Sequence, residues 1–254
     1  MLLAVDVGNT QTHFGIFEGE RIVEHWRFAT VRESTADQLA AALGNLLALR
    51  GYAFTDVDAS VVSSTVPQLE PEWRQTAHRY LGHEILLVGP GTKTGLAIRY
   101  DNPREIGADR LVNAVAIRER FAGSAVCVDF GTATTFDVIS GENEYLGGAL
   151  LPGIEISLEA LADRGARLPR VELGPPRGVI GKNTIDAIHS GVVFGYAGAT
   201  DAILRRLYDE LAERVDVVAT GGLAGLVVPY TEEIDEVDEM LTLTGLRLLH
   251  ERNA

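Results

Sequence analysis

The sequence is short of sulfur, of lysine and of long apolar runs. Of its 254 residues one is cysteine, Cys127. A lone cysteine closes no disulfide within the chain, so a disulfide scaffold is excluded and the usage suits a reducing compartment. Cys127 stands in the apolar run 125–128, where a thiol reads as a small core residue and not a nucleophile. No uninterrupted apolar stretch approaches the roughly 20 residues of a membrane span. Asp6 also interrupts the opening too early for a signal peptide. No membrane partner is expected, and the expected location is the cytoplasm.

Basic charge is scarce as well. Lys+Arg total 22 against 36 Asp+Glu, a net charge of −14. Such a surface repels phosphate backbones, so nucleic acid is not an expected partner. A small anionic substrate needs only a local cationic pocket. Lysine occurs only as Lys93 and Lys182, which leaves few candidates for lysine-dependent chemistry. Several signatures are missing: a Walker-type G-x-x-x-x-G-K-[ST], a kinase-type G-x-G-x-x-G, a His/Cys metal cage and a G-x-S-x-G elbow. Gly181-Lys182-Asn183-Thr184 resembles the tail of a Walker motif, but Pro176 stands where its first glycine belongs. Acyl transfer and zinc hydrolysis have no support.

What is present is an ordinary globular composition, 46% hydrophobic and 23% charged, and a repeat. Residues 4–12 read Ala-Val-Asp-Val-Gly-Asn-Thr-Gln-Thr, and 127–135 read Cys-Val-Asp-Phe-Gly-Thr-Ala-Thr-Thr. A shift of 123 lays Asp6 on Asp129, Gly8 on Gly131 and Thr12 on Thr135. One Asp-x-Gly is an ordinary turn. Two, each behind an apolar strand and half a chain apart, suggest a duplicated domain, with halves at 1–118 and 119–254.

The periodicity is α/β. Strand-like runs occur at 2–7, 13–17, 21–28, 59–63, 84–88, 125–130, 134–139 and 215–220. Between them, Ser34 or Thr35 caps a helix carrying Leu39, Leu43, Leu46 and Leu47. A second helix spans about 110–121, and a long one starts near Thr184. Strands, hairpins and then helices in both halves argue for duplicated ribonuclease-H-like domains over a Rossmann sheet. The acidic run 232–239 reads as a solvated loop.

In the first turn Gly8 lets the backbone approach a ligand, and the following amides can face phosphate oxygens. Asn9, Thr10 and Thr12 add side-chain donors. Asp6 is repelled by phosphate but can hold Mg²⁺ through water. The second turn, 129–135, is richer in hydroxyls, and its carboxylate suits a weakly hydrated monovalent cation. Two such turns facing each other form a clamp for a nucleotide. The double glycine Gly221-Gly222, after the strand 217–220, leaves room for a flat adenine ring, although a plain strand-to-helix turn reads the same.

The run Tyr100-Asp-Asn-Pro-Arg-Glu-Ile-Gly-Ala-Asp-Arg110 makes the resemblance specific. Taken with Asp6-Val-Gly-Asn-Thr10, residues 129–137, Gly147-Gly148 before Pro152-Gly153, Ile180-Gly-Lys-Asn-Thr184, Thr220-Gly-Gly222 and residues 241–246, it closely resembles the type III pantothenate kinase family. The resemblance implies the duplicated actin/hexokinase/Hsp70 (ASKHA) superfold, a homodimer, and the first committed step of coenzyme A synthesis. It implies that Asp6, Val7, Gly8, Asn9, Thr10, Gln11, Thr12 and His13 bind the ATP phosphates and metal. Tyr100, Gly107, Ala108, Asp109 and Arg110 would contact pantothenate, with Asp109 as proton acceptor. Asp129 would ligate potassium or ammonium, and Thr132 would bind ATP. Thr184 would contact pantothenate, from within the chain or across the dimer.

Asp109 near a helix N-terminus is expected to have a depressed pKa, so its contribution would be positioning and late proton acceptance. The plain alternative is an N-cap. Arg110 could anchor the substrate carboxylate or form a surface ion pair, and Thr184 could equally cap a helix beginning at Ile185. Three rival readings share the fold: another small-alcohol kinase, with a different loop in place of 100–110; a phosphatase that hydrolyses polyphosphate or nucleotide with similar turns; and a kinase-like regulator that has lost catalysis.

Overall fold

The computed structural model describes residues 1–165 and 168–254. In chain order its elements begin with strands β1 (Leu2–Val7), β2 (Gln11–Glu18) and β3 (Arg21–Ala29), then helix α1 (Ala36–Ala48) and strand β4 (Ala59–Ser64). Next come α2 (Glu70–Thr76), β5 (Ile85–Leu87), β6 (Ala97–Ile98) and α3 (Ala108–Arg120). The hairpins of β7 (Ala125–Phe130), β8 (Ala133–Ile139) and β9 (Glu144–Pro152) follow. The chain continues through α4 (Ile154–Arg164), α5 (Thr184–Leu211), β10 (Asp216–Thr220), α6 (Ala224–Val227), β11 (Glu236–Val237) and α7 (Leu241–Asn253).

These form two compact units that differ from a single cut at 118/119. The first comprises Met1–Leu96, Asp101–Ala116 and Leu241–Ala254; the second comprises Ala97–Tyr100 and Ile117–Met240. Helix α7 returns to the first unit because its apolar residues Leu243 and Leu246 are completely buried there. A Cβ on Gly15 of β2 would lie 2.9 Å from Leu243. Gly245 admits α3 at still closer range, since a Cβ there would fall 2.2 Å from the Val112 carbonyl oxygen.

The first sheet has the order β3-β2-β1-β4-β5, with β1–β2 and β2–β3 antiparallel and β1–β4 and β4–β5 parallel. One face buries Leu3, Val5, Val7, Phe14 and Ile16 beneath Leu39, Leu43 and Leu47 of α1 and Trp73 of α2. Helix α1 starts as the sequence predicts, at a capping box in which Thr35 and Gln38 satisfy each other's backbone N–H groups. Alternation along β1 sends Ala4 and Asp6 to the opposite face.

The second sheet has the order β11-β10-β7-β8-β9-β6. Apart from β6 added at its edge, this repeats the first sheet strand for strand, with the same antiparallel and parallel pairings. Its core packs Val126, Val128, Phe130, Phe136 and Val138 against Ile154 of α4 and Ala197 and Leu204 of α5. The duplication read from two acidic turns is therefore a duplication of topology.

The repeat differs in one detail. Val7 pairs with Thr12, whereas Phe130 pairs with Thr134. The second turn is one residue shorter, so Thr134 and not Thr135 is the counterpart of Thr12. A one-residue slip reverses the facing of every later side chain. Thr134 accordingly points into the core, while Thr135 joins Asp137 on the opposite face. The acidic run 232–239 is also not a free loop. It contains β11, and its carboxylates pair with Arg205, Arg214 and Arg120.

Candidate functional site

In the first unit, the strand register places four side chains in one row across the sheet: Arg27, His13, Asp6 and Ser63. The completely buried Ser63 donates its hydroxyl hydrogen to Oδ1 of Asp6. Burial, reinforced by the negative charge of Asp109, lifts the Asp6 carboxyl to about 7 against the smaller opposing effect of Ser63. His13 is pushed the other way, down to about 3, by burial and by the nearby Arg27 and His25. The ring is therefore neutral near pH 7, its Nε2 lying 3.3 Å from Nδ1 of His25.

The loop after Asp6 is a tight reversal in which Gly8 N–H donates to the Gln11 carbonyl at 3.0 Å. A Cβ on Gly8 would sit 2.9 Å from that oxygen. Thr10 accepts from the Thr30 N–H, and the Thr12 hydroxyl lies 2.9 Å from that of Thr30. Asn9 is held between Thr65 and Arg32, whose guanidinium donates to its Oδ1 at 3.1 Å. Val7 itself is core. Arg32 thus sets a cation beside the turn. No motif announces it, since a lone arginine in a loop has no sequence signal. Ser63 was equally silent, being an ordinary strand residue until β4 pairs with β1.

Asp109 lies in the first turn of α3, accepting the Arg110 N–H at 2.9 Å. Its carboxyl is raised, not depressed: burial outweighs the helix-end amide and the Arg110 charge. Gly107 makes room for it, because a Cβ there would fall 2.4 Å from Asp109 Oδ1. Ala108 opens the helix. Arg110 is buried (7% exposed), which removes the surface ion-pair reading.

In the second unit, Asp129, the penultimate residue of β7, lies in register with Thr220 of β10, as Asp6 lies in register with Ser63. Gly221, at φ +93°, lets this carboxylate pack closely: a Cβ would be 2.4 Å from Asp129 Oδ1 and 2.6 Å from the Phe130 carbonyl oxygen. Carboxylate and carbonyl oxygens together are a hard-oxygen set of the kind that takes an alkali cation. Thr132 occupies the following turn, and the N-cap of α4, Gly153, lies against its carbonyl. A helix N-terminus beside a hydroxyl-bearing turn is favourable for phosphate.

Tyr100 belongs to the second unit, whereas Gly107–Arg110 belong to the first. Thr184 is not the cap of α5. Asn183 caps it, accepting the Asp186 N–H at 2.8 Å, and Thr184 is the first helical residue. Its exposed side chain lines an apolar groove of about 610 Å³ with Ala187, Gly191 and Gly195. Among the described residues no group of three or more His, Cys, Asp and Glu forms a metal cage, and no helix is long and apolar enough to cross a membrane.

Two ribonuclease-H-like sheets, each with an acid one residue before the end of its first strand and a glycine turn after it, define the duplicated fold of the actin/hexokinase/Hsp70 class. Comparison with known proteins agrees. A ROK family glucokinase from Streptomyces griseus, solved with glucose and AMPPNP, superposes with a TM-score of 0.56 at 16% identity, covering 98% of this chain and 99% of that one. The family model for type III pantothenate kinase matches residues 2–206. Type III pantothenate kinases from Anaeromyxobacter sp. (strain K) and Moorella thermoacetica are 52% and 49% identical over 253 residues, each alignment covering the full length of both chains. The chain belongs to the type III pantothenate kinase family.

Proposed function

We propose that the chain transfers the γ-phosphoryl group of ATP to the primary hydroxyl of pantothenate, the first step of coenzyme A biosynthesis. The observation that carries this reading is the acid pair of the first unit, Asp6 and Asp109, seated in the two sequence blocks that mark the family. The substrate hydroxyl attacks the γ-phosphorus, the bond to the bridging oxygen breaks, and ADP leaves with that electron pair. The hydroxyl proton passes to Asp109. A carboxyl raised by burial accepts it better than a depressed one, since its pKa lies nearer neutrality. The proton leaves late in a loose transition state.

The remaining roles follow the chemistry of each group. Residues 6–13 would hold the ATP phosphates with backbone amides and hydroxyls, Arg32 would supply a cation, and Thr132 would bind ATP. Two mutually repelling, half-buried carboxylates suit a hard divalent cation, and Asp6 would hold Mg²⁺ through water. When bound, Mg²⁺ neutralises charge on the β- and γ-phosphate oxygens. Asp129 would take potassium or ammonium, Gly222 would leave space for adenine, and Tyr100, Gly107, Ala108, Arg110 and Thr184 would contact pantothenate.

The small-residue line Ala187, Gly191, Gly195 and Ala199 along α5, with exposed Ile156, Leu161 and Ile185 on neighbouring surface, suits a second copy of the chain, so the proposed unit of function is a homodimer. Sedimentation as a monomer would remove this element.

The reading is tested by ADP release with pantothenate, glycerol, acetate and glucose, with and without potassium. Pantothenate alone should support turnover. Turnover of another alcohol instead would make the protein a different small-alcohol kinase, and ATP binding without turnover of any would make it a regulator.

A further inference from the structure

The ring of Tyr100 has a built seat within the second unit. Two of its edge atoms lie 3.4 and 3.5 Å from the place a Cβ would occupy on Gly147, ordinary contact distance, so the ring rests directly against this position of β9. Gly147 also holds φ at +114°, where a side chain is strained. The ring's neighbour on β9 is Tyr145, with centroids 6.2 Å apart and planes inclined at 53°. Tyr145 is completely buried, and its hydroxyl donates to Oδ1 of Asp137 at 2.7 Å. The other oxygen of Asp137 accepts from the Thr135 hydroxyl at 3.1 Å, and Asp137 is itself completely buried.

A buried acid is a costly way to fill a sheet interior. Apolar residues at 135, 137 and 145 would occupy the same space without desolvating a carboxylate. What the polar arrangement adds is direction: a hydroxyl bonded to a fixed carboxylate holds the Tyr145 ring at one angle. Tyr145 in turn sets the surface against which Tyr100 rests.

We infer that Asp137 and Tyr145 are positioning residues for Tyr100, fixing the ring that meets the acceptor alcohol without touching that alcohol themselves. The inference rests on the reading of Tyr100 as a substrate contact.

The test uses full-length Tyr145→Phe, which keeps the ring and removes only its hydroxyl, beside Asp137→Asn and Asp137→Leu. Steady-state kinetics read the KM for pantothenate, the KM for ATP and kcat separately, and ring-labelled NMR reads the flip rate of Tyr100. Tyr145→Phe should raise the pantothenate KM about tenfold, the scale expected when a binding group is displaced slightly. The ATP KM and kcat should stay within about twofold of wild type, and the Tyr100 ring should flip faster. Asp137→Asn, which keeps one acceptor oxygen, should fall between wild type and Asp137→Leu.

An unchanged pantothenate KM in folded Tyr145→Phe overturns the proposal, even if the ring flips faster. Equal rises in both KM values overturn it too, because they report general loosening. If the wild-type protein turned over another alcohol, the same split in that alcohol's KM would support the positioning role while removing pantothenate as the substrate.

Discussion

Ser63 donates to Asp6 across the parallel β1–β4 ladder, so the orientation of the carboxylate before the first glycine turn is set by a neighbouring strand and not by the turn itself. Ser63→Ala should leave the fold intact and cost about 1–3 kcal/mol of stability, the range for a buried polar group losing its partner. The Mg²⁺ concentration for half-maximal activity should rise, and Ser63→Thr should recover part of the loss. A metal titration with unchanged midpoint would show that Asp6 orients itself.

Asp109→Asn removes the proposed proton acceptor while retaining shape. Turnover should fall by about 10²–10⁴, the usual contribution of a general base, with ATP still bound in calorimetry. Gly107→Ala should have a similar direction, because its Cβ would collide with Oδ1 of Asp109. Near-normal turnover by the Asn variant would reassign the base.

Potassium dependence should run through Gly221. A methyl at that position would displace the carboxylate of Asp129, so Gly221→Ala should reduce activity in potassium to the level found in desalted sodium buffer. Wild-type activity that is equal in the two buffers would exclude a monovalent cation at Asp129.

His13 contributes a slope of definite sign to the stability curve. Its folded pKa of about 3 lies below the ordinary 6.5, so between these values the unfolded chain binds the extra proton. The stability from holding His13 neutral is complete above about pH 6.5 and is lost as the pH falls towards 3. Asp6, raised to about 7, contributes the opposite slope over nearly the same range, so the His13 slope should be read in urea denaturation from pH 4 to 7 as the difference between wild type and His13→Gln.

The parts legible in the sequence are those written locally. The Thr35 cap, the leucine stripe of α1 and the two acidic turns depend on residues within one turn or strand of each other. The sign of the Asp109 shift was not legible, because proximity to a helix N-terminus is local whereas burial comes from distant chain. Ser63 and Arg32 had no signal, since each matters only through a partner more than 20 positions away. The pairing of Thr134 with Phe130 was hidden by a repeat that aligned well one residue out of register. Strand β9 was missed because its Gly147-Gly148 pair interrupts any strand-like pattern, although those glycines carry the seat of Tyr100.

Helix α7 packs into the unit that the first strands begin, with Gly245 closing on Val112. During synthesis at about 5–20 residues per second, residues 1–96 must therefore wait for residues 241–253 before their second face is covered. All of the second unit leaves the ribosome in that interval. The later-made unit can thus mature first, and a chain stalled before residue 241 would expose the apolar floor around Gly15 to chaperones and proteases.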